Sequence, residues 1–130
     1  MALNIVYDRI IEGLKKSKTV KMPIVVDEKD ARSNEFLMVT LVNVVQEALP
    51  AGGKIFRYFF YLDYYAEYQD KRRLYQEVGD IWDQLGDNPH YASGGTEYFY
   101  NGEAISATFD EEDVDYKARI EWACDYMEIG

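Results

Sequence analysis

The amino-acid sequence predicts an α+β domain: a mixed, mainly antiparallel sheet with a long β-hairpin and two helices packed on one face. Three observations lead to this fold class. Two stretches repeat apolar residues at the spacing of a helix, and two long runs rich in β-branched and aromatic residues flank a turn. The chain of 130 residues also fits one domain of ordinary size, so we expect residues 1–130 to form a single domain.

The two predicted helices lie at the start and in the middle of the chain. In the first, apolar residues between Leu3 and Leu14 recur at spacings of three and four. In the second, Asp70 is a candidate N-cap and Gly86 is a stop signal, with Pro89 just beyond it. Each helix has one apolar stripe, which predicts that both pack against the sheet.

Turn chemistry predicts the long hairpin. Pro23 opens a short extended segment, and proline is tolerated at the edge of a sheet. The runs 36–46 and 54–65 flank the turn sequence Leu49-Pro50-Ala51-Gly52-Gly53. Neither run alternates cleanly between apolar and polar residues, so both faces of the hairpin are expected to be covered. Helices would cover one face, and a surface from outside this chain would cover the other.

The last third of the chain predicts further strands. Asn101-Gly102 is a strong two-residue hairpin signal between residues 98–100 and 104–109. Residues 115–128 alternate as a final strand, with aromatic and apolar side chains on one face and polar side chains on the other. Cys124 falls on the predicted buried face.

Composition excludes several classes of function. The chain has 24 acidic and 14 basic residues and a formal net charge of −10, which argues against a surface that binds nucleic-acid phosphates. A single cysteine, Cys124, and a single histidine, His90, exclude a disulfide framework and histidine-rich metal or triad chemistry. The glycine pairs Gly52-Gly53 and Gly94-Gly95 match no phosphate-binding loop. We therefore expect no enzyme activity, no metal and no cofactor.

Acidic residues are concentrated near the C-terminus. Residues 97–130 hold 10 acidic and 2 basic residues, whereas residues 1–96 hold 14 and 12. A calcium loop would need a glycine for its sharp turn, and none follows Phe109 until the terminus. The run is then either a solvated loop between strands or a surface that repels or imitates phosphates. Its candidate binding residues are Asp110, Glu111, Glu112, Asp113 and Asp115.

Aromatic residues crowd the predicted hairpin, and the chain contains 12 tyrosines. Part of this cluster is expected to form core, and the surplus is typical of a protein interface, where aromatic side chains act as anchors. The candidate residues for a subunit interface are Phe36, Met38, Phe56, Tyr58, Phe59 and Tyr61.

The sequence shows no membrane-spanning or targeting segment. Its longest apolar stretch, residues 36–45, is well short of the ~20 residues that a membrane-spanning helix needs. The acidic Asp8 interrupts the N-terminus before an apolar core of signal-peptide length. We expect a protein made in the cytoplasm with no membrane partner.

The order of these elements resembles that of a known family. An amphipathic helix precedes the short segment Pro23-Ile24-Val25-Val26, and a charged loop, a long hairpin, a second helix and an alternating aromatic strand follow. In length and order the chain resembles the tail terminator proteins of long-tailed bacteriophages, the family of the lambda tail terminator. The resemblance spans nearly the whole chain and lies in the pattern of elements. The high tyrosine content is a departure that it does not explain.

The resemblance implies a structural role in the virion. Members of that family form a hexameric ring that caps the tail tube, halts its growth and faces the neck of the filled head. The implied partners are further copies of the chain, the tail tube protein and the head or neck connector proteins, with DNA passing through the lumen. From charge and apolarity in this sequence, we expect the acidic run at 110–115 to face the lumen and the hairpin to form the ring contact.

Other interpretations remain open at this point. One is a monomeric acidic binding module, such as an immunity protein or an inhibitor that imitates DNA phosphates. Another is a different phage neck or head completion protein, which would share many of these traits. A small enzyme or ligand-binding barrel comes third, because aromatic residues can line a cavity.

Overall fold

A six-stranded mixed sheet with two helices forms the structure, a computed structural model that describes residues 3–27, 31, 35–49, 53–67, 71–86, 92–93, 97–112 and 115–128. The elements in chain order are α1 (Leu3–Lys15), β1 (Ile24–Val25), β2 (Phe36–Leu49), β3 (Gly53–Glu67), α2 (Lys71–Gly86), β4 (Ala92–Ser93), β5 (Glu97–Glu112) and β6 (Asp115–Glu128).

The strands lie in the order β1-β2-β3-β6-β5-β4. Only the short β1 pairs in parallel, with the start of β2, and every other neighbouring pair is antiparallel. The predicted α+β class with a mixed, mainly antiparallel sheet is therefore confirmed. The segment opened by Pro23 is the edge strand β1, because a proline without an N–H is tolerated where one side of the strand has no partner.

The predicted long hairpin is also confirmed. β2 and β3 pair from Phe36 opposite Tyr65 to Leu49 opposite Gly53, with one irregularity, a bulge at Val42. β3 then pairs along its length with β6, from Lys54 to Glu67, so the hairpin lies beside the C-terminal strand. The turn residues between Leu49 and Gly53 lie outside the described residues.

The hairpin turn predicted at Asn101-Gly102 is wrong. β5 continues through both residues, and they form an irregularity in its pairing with β6 between Tyr100 and Glu103. An Asn-Gly pair suits such a bulge as well as a turn, since glycine and asparagine tolerate backbone angles that other residues avoid. The antiparallel pairing of β5 with β6 ends at Glu112 opposite Asp115, so the chain reverses just beyond Glu112.

Because of this reversal, most of the acidic run lies in strands and not in a loop. Asp110, Glu111 and Glu112 are the last residues of β5, and Asp115 is the first residue of β6. The run is therefore the end of a β-hairpin and not a long loop between separate strands. Asp113 lies outside the described residues.

One hydrophobic core joins both helices to a single face of the sheet. Alternate residues of β3 from Phe56 to Ala66 are buried, as period-two alternation requires of a strand with one face toward the core. The hydroxyl of Tyr7 on α1 donates a hydrogen bond to the backbone carbonyl of Val39 on β2. The helical residues of this core are Ile10, Leu14, Leu74, Val78, Ile81 and Leu85. The sheet residues include Leu37, Val39, Tyr58, Phe60, Leu62, Tyr64, Ala118, Ile120, Trp122 and Cys124.

Both helices match their sequence signals. α2 begins one residue after the predicted N-cap and ends at the predicted Gly86. α1 ends at Lys15, whose positive charge suits the negative end of the helix dipole. Neither α1, with 13 residues, nor α2, with 16, is long and apolar enough to cross a membrane.

Gly79 gives a test of the helical packing. A Cβ added at this position in the middle of α2 meets no atom within 4 Å. Gly79→Ala should therefore raise the free energy of unfolding by up to ~1 kcal/mol, because alanine loses less backbone entropy in a helix. Urea unfolding followed by circular dichroism measures the change. A lower stability for the alanine variant would contradict the packing of α2 described here.

Candidate interaction surface

The face of the sheet opposite the helices is the candidate functional surface, and we call it the open face. In the part of the chain that the structure describes, no helix covers it, yet most of its side chains are half-buried. They are half-buried because aromatic rings and cations on the same strand or on neighbouring strands lie against one another. The open face includes Phe36, Met38, Thr40, Asn43, Val45, Arg57, Phe59, Tyr61, Asp63, Tyr65, Lys117, Arg119, Glu121, Ala123 and Asp125, together with the β5 residues Glu103, Ser106, Thr108 and Asp110.

An ion pair between a buried carboxylate and a partly exposed arginine lies at the centre of the open face. Asp63 on β3 and Arg119 on β6 are direct cross-strand neighbours. The guanidinium donates two hydrogen bonds to the carboxylate, Nε to Oδ1 at 2.7 Å and Nη2 to Oδ2 at 3.1 Å. The Asp63 side chain is 3% exposed, and this hydrogen bonding raises the pKa of Arg119. A buried carboxylate without such a partner would carry a large desolvation penalty, so Asp63 depends on Arg119.

The same guanidinium lies over an aromatic ring. The Arg119 Cζ atom is 4.3 Å from the ring centroid of Tyr61, which is half-buried on the neighbouring strand. The planar guanidinium both forms the two-bond contact with Asp63 and stacks on Tyr61, which an ammonium group cannot do. Tyr61 is therefore held in place from one side.

Two further cations, one on β3 and one on β6, also lie over aromatic rings of β3. Arg57 lies 5.6 Å over the Phe59 ring and forms ion pairs with Asp125 at 3.2 Å and Glu103 at 3.6 Å. At the other end of the strand, the Lys117 ammonium lies 5.1 Å over the Tyr65 ring.

Phe36 extends this second stack to the next strand. Its ring stacks on the Tyr65 ring with a centroid distance of 4.7 Å and an interplanar angle of 18°. Rings and cations on three strands thus form a row of three ring–cation contacts along the open face, which we call the ladder.

A shallow hollow of about 200 Å³ opens beside this ladder. Val42, Asn43, Phe59, Tyr61 and Glu121 contribute to its lining. Val42 is the bulged residue of β2 and is 45% exposed, so the rim of the hollow is apolar and accessible. The volume of the hollow suits one apolar or aromatic side chain of another surface.

The candidate interface residues divide between the two faces of the sheet. Met38, Phe59 and Tyr61 are half-buried on the open face, whereas Phe36 is buried beneath its stack with Tyr65 and offers little surface to a partner. Phe56 and Tyr58 are buried in the core, so their prediction as interface residues is wrong. Even-numbered residues of β3 from 56 to 66 point toward the helices. The sequence does not reveal this alternation, because nearly every residue of the run is apolar.

The acidic candidates lie at one end of the β5–β6 hairpin. Asp110 is exposed, and its cross-strand neighbour is Lys117 of the open face. Glu111, Glu112 and Asp115 are placed on their strands by the backbone pairing. Cations at three open-face positions interrupt any uniform acidic surface there, so phosphate-like spacing of acids over this face is not present among the described residues.

A separate polar cluster ties α2 to the start of β2. The Tyr64 hydroxyl donates a hydrogen bond of 2.8 Å to Glu35, and Arg73 on α2 lies 3.8 Å from the other oxygen of Glu35. Arg73 also lies 4.0 Å from Glu77, one helical turn further on. Burial and the nearby Glu35 and Asp80 carboxylates raise the pKa of Glu77. These contacts position the helix.

The described thiol, Cys124, is not activated as a nucleophile. Cys124 is buried in the core, and burial together with the adjacent Asp125 raises the pKa of its thiol to about 12, so a nucleophilic thiolate does not form near neutral pH. Within the described residues, no group of three or more His, Cys, Asp or Glu side chains could hold a metal ion. His90 lies outside those residues.

No family model matches the chain, and no curated protein sequence shows significant similarity to it. Its function is therefore inferred from the fold and from the surfaces described above.

Breaking the central pair should show how the open face is stabilised. Arg119→Met leaves the buried Asp63 carboxylate without its cation and should lower the free energy of unfolding by about 2 to 3 kcal/mol. Adding Asp63→Asn to the same chain should recover part of this loss, because the amide carries no charge. Urea unfolding of both single variants and the double variant gives the coupling free energy.

Lys117→Met is the matched control on the same strand. Its ammonium lies over a ring and is not paired with a buried carboxylate, so the loss should stay below about 1 kcal/mol. Equal losses for Arg119→Met and Lys117→Met, or strict additivity of the two changes at positions 63 and 119, would contradict the central role of the ion pair.

Proposed function

We propose that this chain is the subunit of a homo-oligomeric ring in a bacteriophage virion, a tail terminator that caps the tail tube and joins it to the neck. The order of elements carries the proposal: one helix, a short edge strand, a long hairpin, a second helix and the C-terminal strands. This is the order on which the resemblance to the tail terminator family rests. In this role the chain acts by assembly and has no catalytic activity or cofactor.

The open face supports an assembling subunit. It presents half-buried Met38, Phe59 and Tyr61 and a hollow that accepts one side chain. Aromatic residues that are already ordered lose little conformational entropy when a partner covers them, which is why they are favoured at interfaces. The partners in this proposal are other copies of the chain, the tail tube protein and the connector proteins of the neck.

The charge distribution supports the passage of DNA without binding. The chain has a net charge of −10, and residues 97–130 contribute most of it. A lumen lined by Asp110 and the acidic residues that follow it would repel the phosphates of the duplex, since adhesion to DNA needs clustered cations.

The monomeric acidic module is the main rival. An inhibitor that imitates DNA needs carboxylates spread over one face, but cations occupy the open face at Arg57, Lys117 and Arg119. This observation favours the ring. Another neck or head completion protein remains the nearest alternative within the virion, and the position at which the ring binds distinguishes the two.

Native mass tests the proposal first. Light scattering after gel filtration, over a series of protein concentrations, should give a mass near six times the 15.2 kDa of the chain. Mixed with growing tail tubes, the protein should appear as a ring on one tube end in negative-stain images and should stop tube extension. Serum albumin at equal concentration is the control. A chain that stays monomeric and leaves tube length unchanged would support the acidic module.

The DNA prediction is separate. Because the net charge is −10 and the cations of the open face are paired with carboxylates or stacked on rings, the wild-type protein should not retard duplex DNA in a gel even at low salt. A basic DNA-binding protein run in the same gel is the positive control. Retardation that disappears with added salt would contradict a passage that repels DNA.

A further inference from the structure

Both lateral edges of the sheet offer unpaired backbone. β1 pairs with β2 only at Leu37 and Met38, and β4 pairs with β5 only at residues 97 and 98. In the part of the sheet that the structure describes, residues 40–49 of β2 and 99–112 of β5 therefore pair on one side only. Unpaired N–H and C=O groups along such lengths are a template for another strand.

Apart from one bulge on β2, two irregularities on β5 and the acidic residues 110–112 at the end of β5, these edges lack the features with which proteins usually block edge pairing. Residues 40–49 contain no proline or lysine and one charged residue, Glu47. Residues 99–109 also contain no proline or lysine, and their one charged residue, Glu103, forms an ion pair with Arg57. Lysine, proline and other charges on the edge are the usual protection against association.

The two edges expose apolar side chains at their bulges. Val42 on β2 and Ile105 on β5 are each the extra residue of a bulge, and each is 45% exposed. Val45, also on β2, is 41% exposed. A bulge interrupts regular pairing at one position, but here each bulge places an apolar group where a second sheet would cover it.

Strand directions make the two edges complementary. The four long strands β2, β3, β6 and β5 alternate in direction, so β2 and β5 run in opposite directions. If a second copy is related to the first by rotation about an axis parallel to the strands, each of its strands runs in the same direction as the corresponding strand of the first copy. Its β2 would then lie antiparallel to the β5 of the first copy, as in a continuous antiparallel sheet.

We infer that the β2 edge of one copy pairs with the β5 edge of the next, so that the sheets of successive copies join into one. The inference rests on the proposed function, because it names the contact that would close the ring. Such a contact is heterologous: it uses two different surfaces, and it closes into a ring when the rotation between copies permits. Two paired edge strands are held together by main-chain hydrogen bonds, so the contact needs no deep pocket on either copy.

Single charges at the two bulges test this contact. Val42→Lys and Ile105→Lys each place a charge on one edge, and the exposure of both side chains makes misfolding improbable on steric grounds. Each variant should raise the apparent dissociation constant for self-association by about tenfold or more, measured by light scattering and sedimentation. Gln76→Lys on the exposed side of α2 adds the same charge away from both edges and should assemble like wild type. Circular dichroism checks the fold of every variant.

Mixing the two edge variants gives the decisive result. The Val42→Lys chain keeps an intact β5 edge, and the Ile105→Lys chain keeps an intact β2 edge. An equimolar mixture should therefore form a one-to-one heterodimer with one intact contact, although each chain alone stays monomeric. An isologous β2–β2 contact would instead leave Ile105→Lys assembling normally.

Other outcomes separate this inference from the proposed function. A wild-type ring whose mass is unchanged in both edge variants overturns the edge contact and leaves the ring in place. If Phe59→Asp on the open face breaks that ring, the face is the contact and the edges are not. A wild-type chain that stays monomeric at its highest soluble concentration also overturns the edge contact, and the tube experiment then decides the function independently.

Discussion

The sheet has two faces, and the chain supplies helices for only one of them. The long strands of the β2–β3 hairpin, with 14 and 15 residues, carry too many apolar and aromatic side chains for the other face to be simply solvated. That face is stabilised by cross-strand stacks of rings and cations, and Asp63 is buried within them because Arg119 satisfies both of its oxygens. The shape of the open face depends on this one pair.

The same constraint accounts for much of the tyrosine content. Tyr58 and Tyr64 fill the core, where a large ring buries more apolar area than a branched side chain, and the Tyr64 hydroxyl reaches Glu35 at the margin. Tyr61 and Tyr65 lie on the opposite face and support Arg119 and Lys117. A tyrosine suits both faces, because its ring packs while its hydroxyl remains able to form a hydrogen bond.

Local signals in the sequence were sufficient to predict the helices, the long hairpin and the fold class, because caps, turn residues and apolar spacing act over a few residues. They failed at Asn101-Gly102, because the same dipeptide suits a bulge, and the pairing of β5 with β6 decides between the two. They also failed at Phe56 and Tyr58, where an almost continuous apolar run hides which residues face the helices. The Asp63–Arg119 pair joins residues 56 positions apart, so only the register of β3 against β6 reveals it.

The open face and the edges meet different physical requirements. On the open face, the rings and cations contact one another within a single chain, and the buried Asp63 carboxylate already has its cation. A partner there would bury more apolar area but is not needed to pair a buried charge. At the edges, the backbone groups of β2 and β5 have no such internal substitute among the described strands, and the exposed Val42 and Ile105 add apolar area at the same positions. Joining these edges in a closed ring removes every long edge at once, because each copy covers the strand that its neighbour leaves open. In the proposed ring, the four long alternating strands of each copy would therefore continue into those of the next copy.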